Sequence, residues 1–301
     1  MDRFEAMRLF TRVVDRRSFT QAAHDVDIPR STVTQVIQQI EKRLGVRLLQ
    51  RTTRTVMPTL DGEAYYRRCL AILDDIEDAE GAFSGAVPKG TLRVEVQGTL
   101  ARHFLMPGLP QFLSNYPEIQ IVMSESDRWV DVVREGVDCV LRYGALRDSD
   151  LVARVVTTLE RITCAAPAYL ERYGCPQAPD DLANHRAVGL RSLTTGTLAP
   201  LEFVHAHGVT RIEVPTSFSV TGTESFLDGV RLGLGIAQMP VFHVERDLAE
   251  GQLQRILSDH PVPSAPVSVL YPRSRQLSPR LRVFIDWVVQ RFSNSAATEN
   301  W

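Results

Sequence analysis

The sequence of 301 residues is short of several features that would assign it to a class at once. No run approaches the ~18 consecutive apolar residues of a membrane span, so no membrane-spanning helix is expected. The first residues, Met1-Asp2-Arg3-Phe4-Glu5, lack the basic-then-apolar pattern of a signal peptide, and a soluble, cytoplasmic protein is expected. There are four cysteines, Cys69, Cys139, Cys164 and Cys175, with no C-x-x-C pair and no histidines at zinc-ligand spacing. A disulfide framework and a metal site are therefore not expected, and the thiols read as reduced and mostly buried. Also missing are G-x-S-x-G, G-x-x-x-x-G-K-[ST] and H-E-x-x-H, and Gly233-Leu234-Gly235 has no third glycine for a dinucleotide fingerprint. An enzyme on a binding-protein-like scaffold is thus a minor alternative. A net charge of −2 is too small to announce a polyanion partner.

What is present is ordinary globular composition, 44% hydrophobic and 23% charged, and enough chain for about two domains at roughly 100–200 residues each. The charge is unevenly distributed. Residues 1–60 hold eleven basic against six acidic side chains, whereas residues 61–80 hold seven acids and two arginines. A basic module on a mildly acidic body suits a polyanion at one end only.

Helical spacing of Phe4, Met7, Leu9, Phe10, Val13 and Val14 predicts a first helix that stops near Asp15-Arg16-Arg17. Ser18-Phe19-Thr20-Gln21 reads as a capping box for a brief second helix that ends near Val26-Asp27-Ile28. A third helix starts at Pro29 or Arg30, puts Val33, Ile37, Ile40 and Leu44 on one face, and stops at Gly45. Its opposite face, Ser31, Thr34, Gln35 and Gln38, offers amides and hydroxyls that both donate and accept, as reading base edges requires. The stretch Arg47 to Met57 has two β-like runs around a basic, hydroxyl-rich tip, which reads as a wing lying on phosphates. From Thr59 a helix runs to about Phe83, some 38 Å at about 1.5 Å per residue, with Tyr66, Cys69, Leu73, Ile76 and Phe83 at coiled-coil spacing. It reads as a dimerisation strut.

The expected fold is an all-α winged helix-turn-helix (1–58), a linker or dimerisation helix (59–87) and a two-lobed α/β effector-binding domain (88–301). Lobe I takes about 88–161 and 266–301, and lobe II about 162–265. Thr91–Gln97, Ile119–Met123 and Val137–Leu141 read as strands, with helices over Arg102–Asn115 and Asp127–Arg134, and this alternation predicts a largely parallel sheet. Gly233–Ala237 reads as a buried strand and Val267–Tyr271 as a crossing strand, followed by a helix capped by Ser278. Two lobes joined by crossing strands leave a cleft suited to a small ligand.

The chain resembles the LysR-type transcriptional regulators. The resemblance is carried by Met7-Arg8-Leu9-Phe10, Ser18-Phe19-Thr20-Gln21-Ala22-Ala23, Ser31 to Ile37, Ile40 to Leu49 and Arg51-Thr52-Thr53-Arg54. Weaker likeness continues through Phe112–Pro117, Glu135–Asp138, Arg142–Gly144 and Gly233–Pro240. It implies a winged helix-turn-helix, a pairing linker helix and a periplasmic-binding-protein-like effector domain. It also implies dimers or tetramers on an interrupted inverted repeat in double-stranded DNA, contact with RNA polymerase, and a metabolite that alters DNA binding. On this resemblance Arg30, Ser31, Thr32, Thr34, Gln35 and Gln38 face the major groove, while Arg51, Thr53 and Arg54 lie on the backbone or minor groove. Thr34 stands where serine is usual. Asp27 stands where the turn often has glycine or asparagine, and Pro29 where a Ser or Thr cap is common. The resemblance places effector contacts at Gly98, Thr99, Leu100, His103, Tyr143 and Gly144 in lobe I. In lobe II they are Ser192, Thr194, Thr221, Gly222 and Thr223. Hydroxyls and free N–H groups at helix starts favour an organic anion there. A nonspecific architectural DNA binder is the other alternative, for which a large α/β domain is an odd attachment.

Overall fold

The computed structural model describes residues 1–51, 56–84, 87–126, 128, 131–146, 149–193, 195–273 and 277–298. Three helices open it: α1 (Arg3–Arg16), α2 (Phe19–Asp25) and α3 (Arg30–Leu44). A reciprocal capping box starts α1, with the Glu5 N–H donating to Asp2 Oδ1 and the Asp2 N–H to Glu5 Oε2, each at 2.7 Å. At α2 only the serine half of the expected box forms, the Gln21 N–H donating to Ser18 Oγ at 3.3 Å. Asp27 takes a left-handed φ of +50° in the turn before α3. Pro29 supplies no side-chain cap, and its carbonyl accepts the N–H groups of Thr32 and Val33. Gly45, at φ +73°, ends α3. Phe10, Val13, Ala22, Val33 and Ile37 are fully buried where the three helices meet.

A short hairpin of β1 (Leu49–Arg51) and β2 (Val56–Pro58) follows, antiparallel in register Gln50 to Met57. Thr59 then caps the long helix α4 (Leu60–Ser84), its Oγ1 accepting the Gly62 N–H at 2.9 Å. The expected dimer seam is partly spent inside the subunit. Tyr66 donates its hydroxyl to Asp15 Oδ1 at 2.5 Å, and Cys69 is fully buried in the winged domain's own core. Leu73 is buried too, Ile76 is half-buried, and the Phe83 side chain lies outside the described residues. The reason is local. Gly62 sets α4 against the Leu48 backbone, so its first turns lie along α1.

Lobe I is built on a five-stranded sheet in the order β4-β3-β5-β14-β6. Its strands are β3 (Gly90–Val96), β4 (Ile119–Glu125), β5 (Cys139–Tyr143) and β6 (Leu151–Leu159), with β14 (Ala265–Pro272) returning late in the chain. Only β3 with β4 and β5 is parallel; β14 is antiparallel to both neighbours. Lobe II has β7 (Arg161–Ala165), β8 (Ala187–Leu190), a β9–β10 hairpin (Leu201–His205, Gly208–Ile212), β11 (Thr216–Val220), β12 (Ala237–Pro240) and β13 (Gln254–Ile256). Here β8 and β11 are parallel, while β7 is antiparallel to β12 and β13. The sheets are therefore mixed rather than largely parallel, because strands that enter a lobe from the other lobe run against those wound within it.

The helix expected over 102–115 is segmented into α5 (Gly98–Leu100), a π turn (Ala101–Leu105), a 3₁₀ turn (Met106–Gly108) and α6 (Leu109–Asn115). Pro107 and Pro110, each lacking an N–H, set those breaks. Of the helix expected over 127–134, the described residues show α7 (Val132–Glu135), with Arg128 and Asp131 outside it. The strand expected from Gly233 starts only at Ala237, since Gly233 turns at φ +71° and Leu234 is exposed. Lobe II also carries α8 (Pro167–Tyr173), α9 (Thr223–Arg231) and α10 (Glu245–Ala249). The last helix, α11 (Pro279–Thr298), packs Leu281, Phe284, Ile285 and Val288 into lobe I, and Ser278 Oγ accepts the Leu281 N–H at 3.2 Å. Phe242 belongs to lobe II by sequence yet joins the lobe I core beside Phe104, 5.0 Å between ring centroids. Among the described residues no helix is long and apolar enough to cross a membrane.

Candidate functional site

Two surfaces carry the chemistry. The first is the outer face of α3. Val33, Val36, Ile37 and Ile40 point into the core, which turns Arg30, Ser31, Gln35 and Gln38 to solvent and leaves Thr32 and Thr34 half-buried. All six residues expected to read DNA thus share one accessible side of one helix. Glu41, on the same helix, does something the sequence reading missed: its Oε1 accepts the N–H groups of Leu48 at 2.8 Å and Leu49 at 3.1 Å. That carboxylate ties the wing's first strand to the reading helix. Arg51 lies in β1 with its side chain outside the described residues, and Thr53 and Arg54 lie outside them altogether.

The second surface is the cleft between lobes, which holds a cavity of about 400 Å³. Thr99, Leu100, Tyr143, Gly144 and Thr223 line it as expected. An adjoining outer compartment of about 390 Å³ is lined by Ser192, Thr221 and again Thr223. Three expected contacts fall elsewhere. Gly98 backs onto the Glu125 carboxylate, and Gly222 caps α9 without reaching either compartment. His103 stacks its ring 5.0 Å from Phe242 and 4.7 Å from Phe104, behind the cavity wall. Thr194 lies outside the described residues.

The cavity is largely apolar, with Leu100, Val188, Phe226, Met239 and Phe242 among its walls. Besides Thr99, Tyr143 and Thr223, it has polar residues that the sequence did not single out. Gln97 Oε1 accepts the Tyr143 N–H at 2.8 Å and pins the end of β5 to the end of β3. Arg161, where the chain crosses between lobes, bridges Glu202 of the β9 hairpin at 3.0 Å, and Glu202 also meets Arg211 at 3.1 Å. Gln238 accepts the Glu202 N–H at 2.8 Å and donates to the Glu202 carbonyl at 2.9 Å. Burial pulls the Glu202 carboxyl upward, but hydrogen bonds and charge from Arg161 and Arg211 prevail and hold it below its usual range. Burial pushes the Tyr143 hydroxyl up to about 12 and His243 down to about 4, with His103 and Arg231 adding to the latter. The Tyr143 hydroxyl and both His243 ring nitrogens are buried without a hydrogen-bond partner among the described residues. Across the cleft mouth, Arg102 of lobe I meets Glu224 of α9 at 2.7 Å. No local motif marks Arg161, Glu202 or His243; only the crossing of the chain brings them together.

Comparison with known proteins assigns both domains. Residues 4–63 match the bacterial regulatory helix-turn-helix domain of the lysR family, and residues 85–293 match the LysR substrate binding domain. The HTH-type transcriptional regulator YhjC of Escherichia coli K12 is 35% identical over 290 residues, covering 96% of this chain and 97% of that protein. An HTH-type transcriptional repressor of Pseudomonas aeruginosa strain UCBPP-PA14 is 36% identical over 299 residues, covering 98% of this chain and 94% of the relative. The solved structure of CrgA, a LysR-type transcriptional regulator from Neisseria meningitidis, superposes with a TM-score of 0.60 at 31% identity, covering 95% of this chain and 97% of that one. The chain thus joins a helix-turn-helix DNA-binding domain, which contains α3, to a periplasmic-binding-protein-like effector-binding domain, which contains the cleft; it is a transcriptional regulator and belongs to the LysR family.

Proposed function

We propose that this regulator binds a specific interrupted inverted repeat in double-stranded DNA as a dimer or tetramer, and that a small molecule in the interlobe cleft changes how tightly it holds that site. The observation that carries the reading is the arrangement on α3, where a face of hydroxyls and amides is presented outward by a helix whose other face is locked in the core. The cleft contributes ligand response and no reaction: the protein is not an enzyme, needs no metal or organic cofactor, works in the cytoplasm, and meets RNA polymerase while bound to DNA. Thr99 and Thr223 from opposite lobes touch the ligand, so its binding and lobe geometry are coupled.

The test is binding of the purified chain to its own upstream DNA against a scrambled duplex over a series of salt concentrations. A preference of about 10³ or more, with both affinities falling as salt rises, is the expected result. Equal binding to both duplexes, and to fragments selected from the genome, refutes site-specific regulation.

A further inference from the structure

We propose that the effector is an uncharged, largely apolar molecule, and that the Arg161–Glu202 ion pair in the cavity wall enforces this choice. The proposal rests on reading the cleft as the effector site and specifies the ligand class. Among the described residues, four titratable side chains line the inner compartment: Tyr143, Arg161, Glu202 and His243. Tyr143 and His243 are held neutral by burial. Among the described residues that line the compartment, Arg161 is the one cation that could neutralise an incoming carboxylate, and it is already committed to Glu202 at 3.0 Å, with less than a quarter of either side chain exposed. Glu202 cannot easily turn away, since Gln238 brackets its backbone on both sides and Arg211 holds its other oxygen.

An anion entering this compartment would shed its water, find no free cation among the described residues and lie beside a fixed carboxylate. A neutral molecule meets no such penalty, and its apolar body replaces water against Leu100, Val188, Phe226, Met239 and Phe242. Arg191 lines the outer compartment and not the inner one; it is exposed and donates to Ser219 and the Gly196 carbonyl, while Arg102 at the mouth is paired with Glu224. Thr99 lines the inner compartment and Thr223 lines both, but these hydroxyls at helix starts are neutral donors that serve an amide as well as a carboxylate, and the described titratable groups around the inner volume carry no net charge.

The experiment uses the full chain, its Glu202→Gln variant and the Arg161→Gln/Glu202→Gln double variant. Calorimetry measures binding of two matched pairs, naphthalene-2-carboxamide with 2-naphthoate and phenylacetamide with phenylacetate. The wild type should bind the amide of a pair about tenfold or more tightly than the carboxylate. Glu202→Gln should raise carboxylate affinity by about tenfold while moving the amide less than about threefold, and the double variant should lose the gain. Equal or tighter carboxylate binding by the wild type overturns the proposal, as does a carboxylate affinity unmoved by Glu202→Gln, or no binding of any probe by any of the proteins. Ligand-free DNA binding of the same samples is read separately. Its failure counts against the regulator reading and leaves the charge preference of the cleft to be judged by calorimetry alone.

Discussion

Replacing Glu41 by alanine should loosen the wing from the reading helix. Its Oε1 accepts two N–H groups, from Leu48 at 2.8 Å and Leu49 at 3.1 Å, and both leucines are buried. A hydrogen bond to a charged group is worth about 1.5–3 kcal/mol, and a buried donor left unpaired forfeits its desolvation as well. Glu41 is half-buried, so water reaches part of the gap, and the combined loss should be about 2–4 kcal/mol. At about 1.4 kcal/mol per tenfold, the Leu48 and Leu49 amides should exchange hydrogen some 30- to 700-fold faster. Glu41→Gln keeps a neutral acceptor and should cost only about 1 kcal/mol, or roughly fivefold. Hydrogen-exchange mass spectrometry of the full chain, read on peptides covering 46–51, separates these outcomes. An alanine variant whose exchange changes less than about fivefold, or equals that of the glutamine variant, would show that the carboxylate does not hold β1.

Gln35→Ala should cost about 1–3 kcal/mol at the cognate site and leave random-duplex binding almost unchanged, whereas Arg54→Ala should weaken both alike and flatten the salt slope; equal effects of the two would unseat α3 as the reader. Gly62→Ala places a Cβ 1.9 Å from the Leu48 carbonyl oxygen, backbone against backbone, and should destabilise the winged domain by about 2 kcal/mol or more in thermal unfolding. His243 is held neutral in the folded state, its pKa pushed down to about 4 by burial, while the unfolded chain binds its proton near about 6.5. The native state therefore gains stability from this group at full value above about pH 6.5, and loses it as pH falls through about 4, a swing of roughly 3–3.5 kcal/mol. His243→Phe should flatten the unfolding midpoint over that window by a corresponding amount, and an unchanged pH slope would contradict the buried neutral imidazole.

The winged domain was legible because its signals are local. Spacing of apolar residues, Asp27 in a left-handed turn and Gly45 at a helix end all act within a few residues of where they sit. The capping box was misplaced by one helix, since Asp2-Arg3-Phe4-Glu5 and Ser18-Phe19-Thr20-Gln21 offer the same acceptor-and-return pattern. The seam on α4 predicts a face turned to a second copy, because a period of three and four says that a face is buried but not against what; Tyr66 bonds to Asp15 of α1, and Cys69 lies in the winged domain's own core. The cleft was the least legible part. Threonines next to strand ends could be located from connectivity, but Arg161 meets Glu202 across 41 residues, and Phe242 crosses into the other lobe's core. Such contacts leave no local periodicity to read.

The cleft geometry also limits how an effector can act. Arg102 and Glu224 join the lobes at 2.7 Å, yet both side chains are more than half exposed. A pair so placed contributes about 0.2–1 kcal/mol, far below the roughly 5.5 kcal/mol needed to carry a two-state equilibrium from 1:99 to 99:1. The pair can align the lobes, but it cannot by itself hold one arrangement of them. The energy for a switch must come from contacts a ligand makes better in one arrangement than in the other. Burial of apolar surface at about 25 cal/mol per Å² reaches several kcal/mol once about 200 Å² is withdrawn from water, within the scope of a 400 Å³ cavity with walls from both lobes. Within the subunit, that energy is not spent on moving α3 against α1, which share one core, nor the start of α4 against α1, which the Tyr66–Asp15 bond joins. The reading helix, the wing and the start of the strut then travel as one body, and the quantity an effector can change is the placement of that body relative to its counterpart in another subunit.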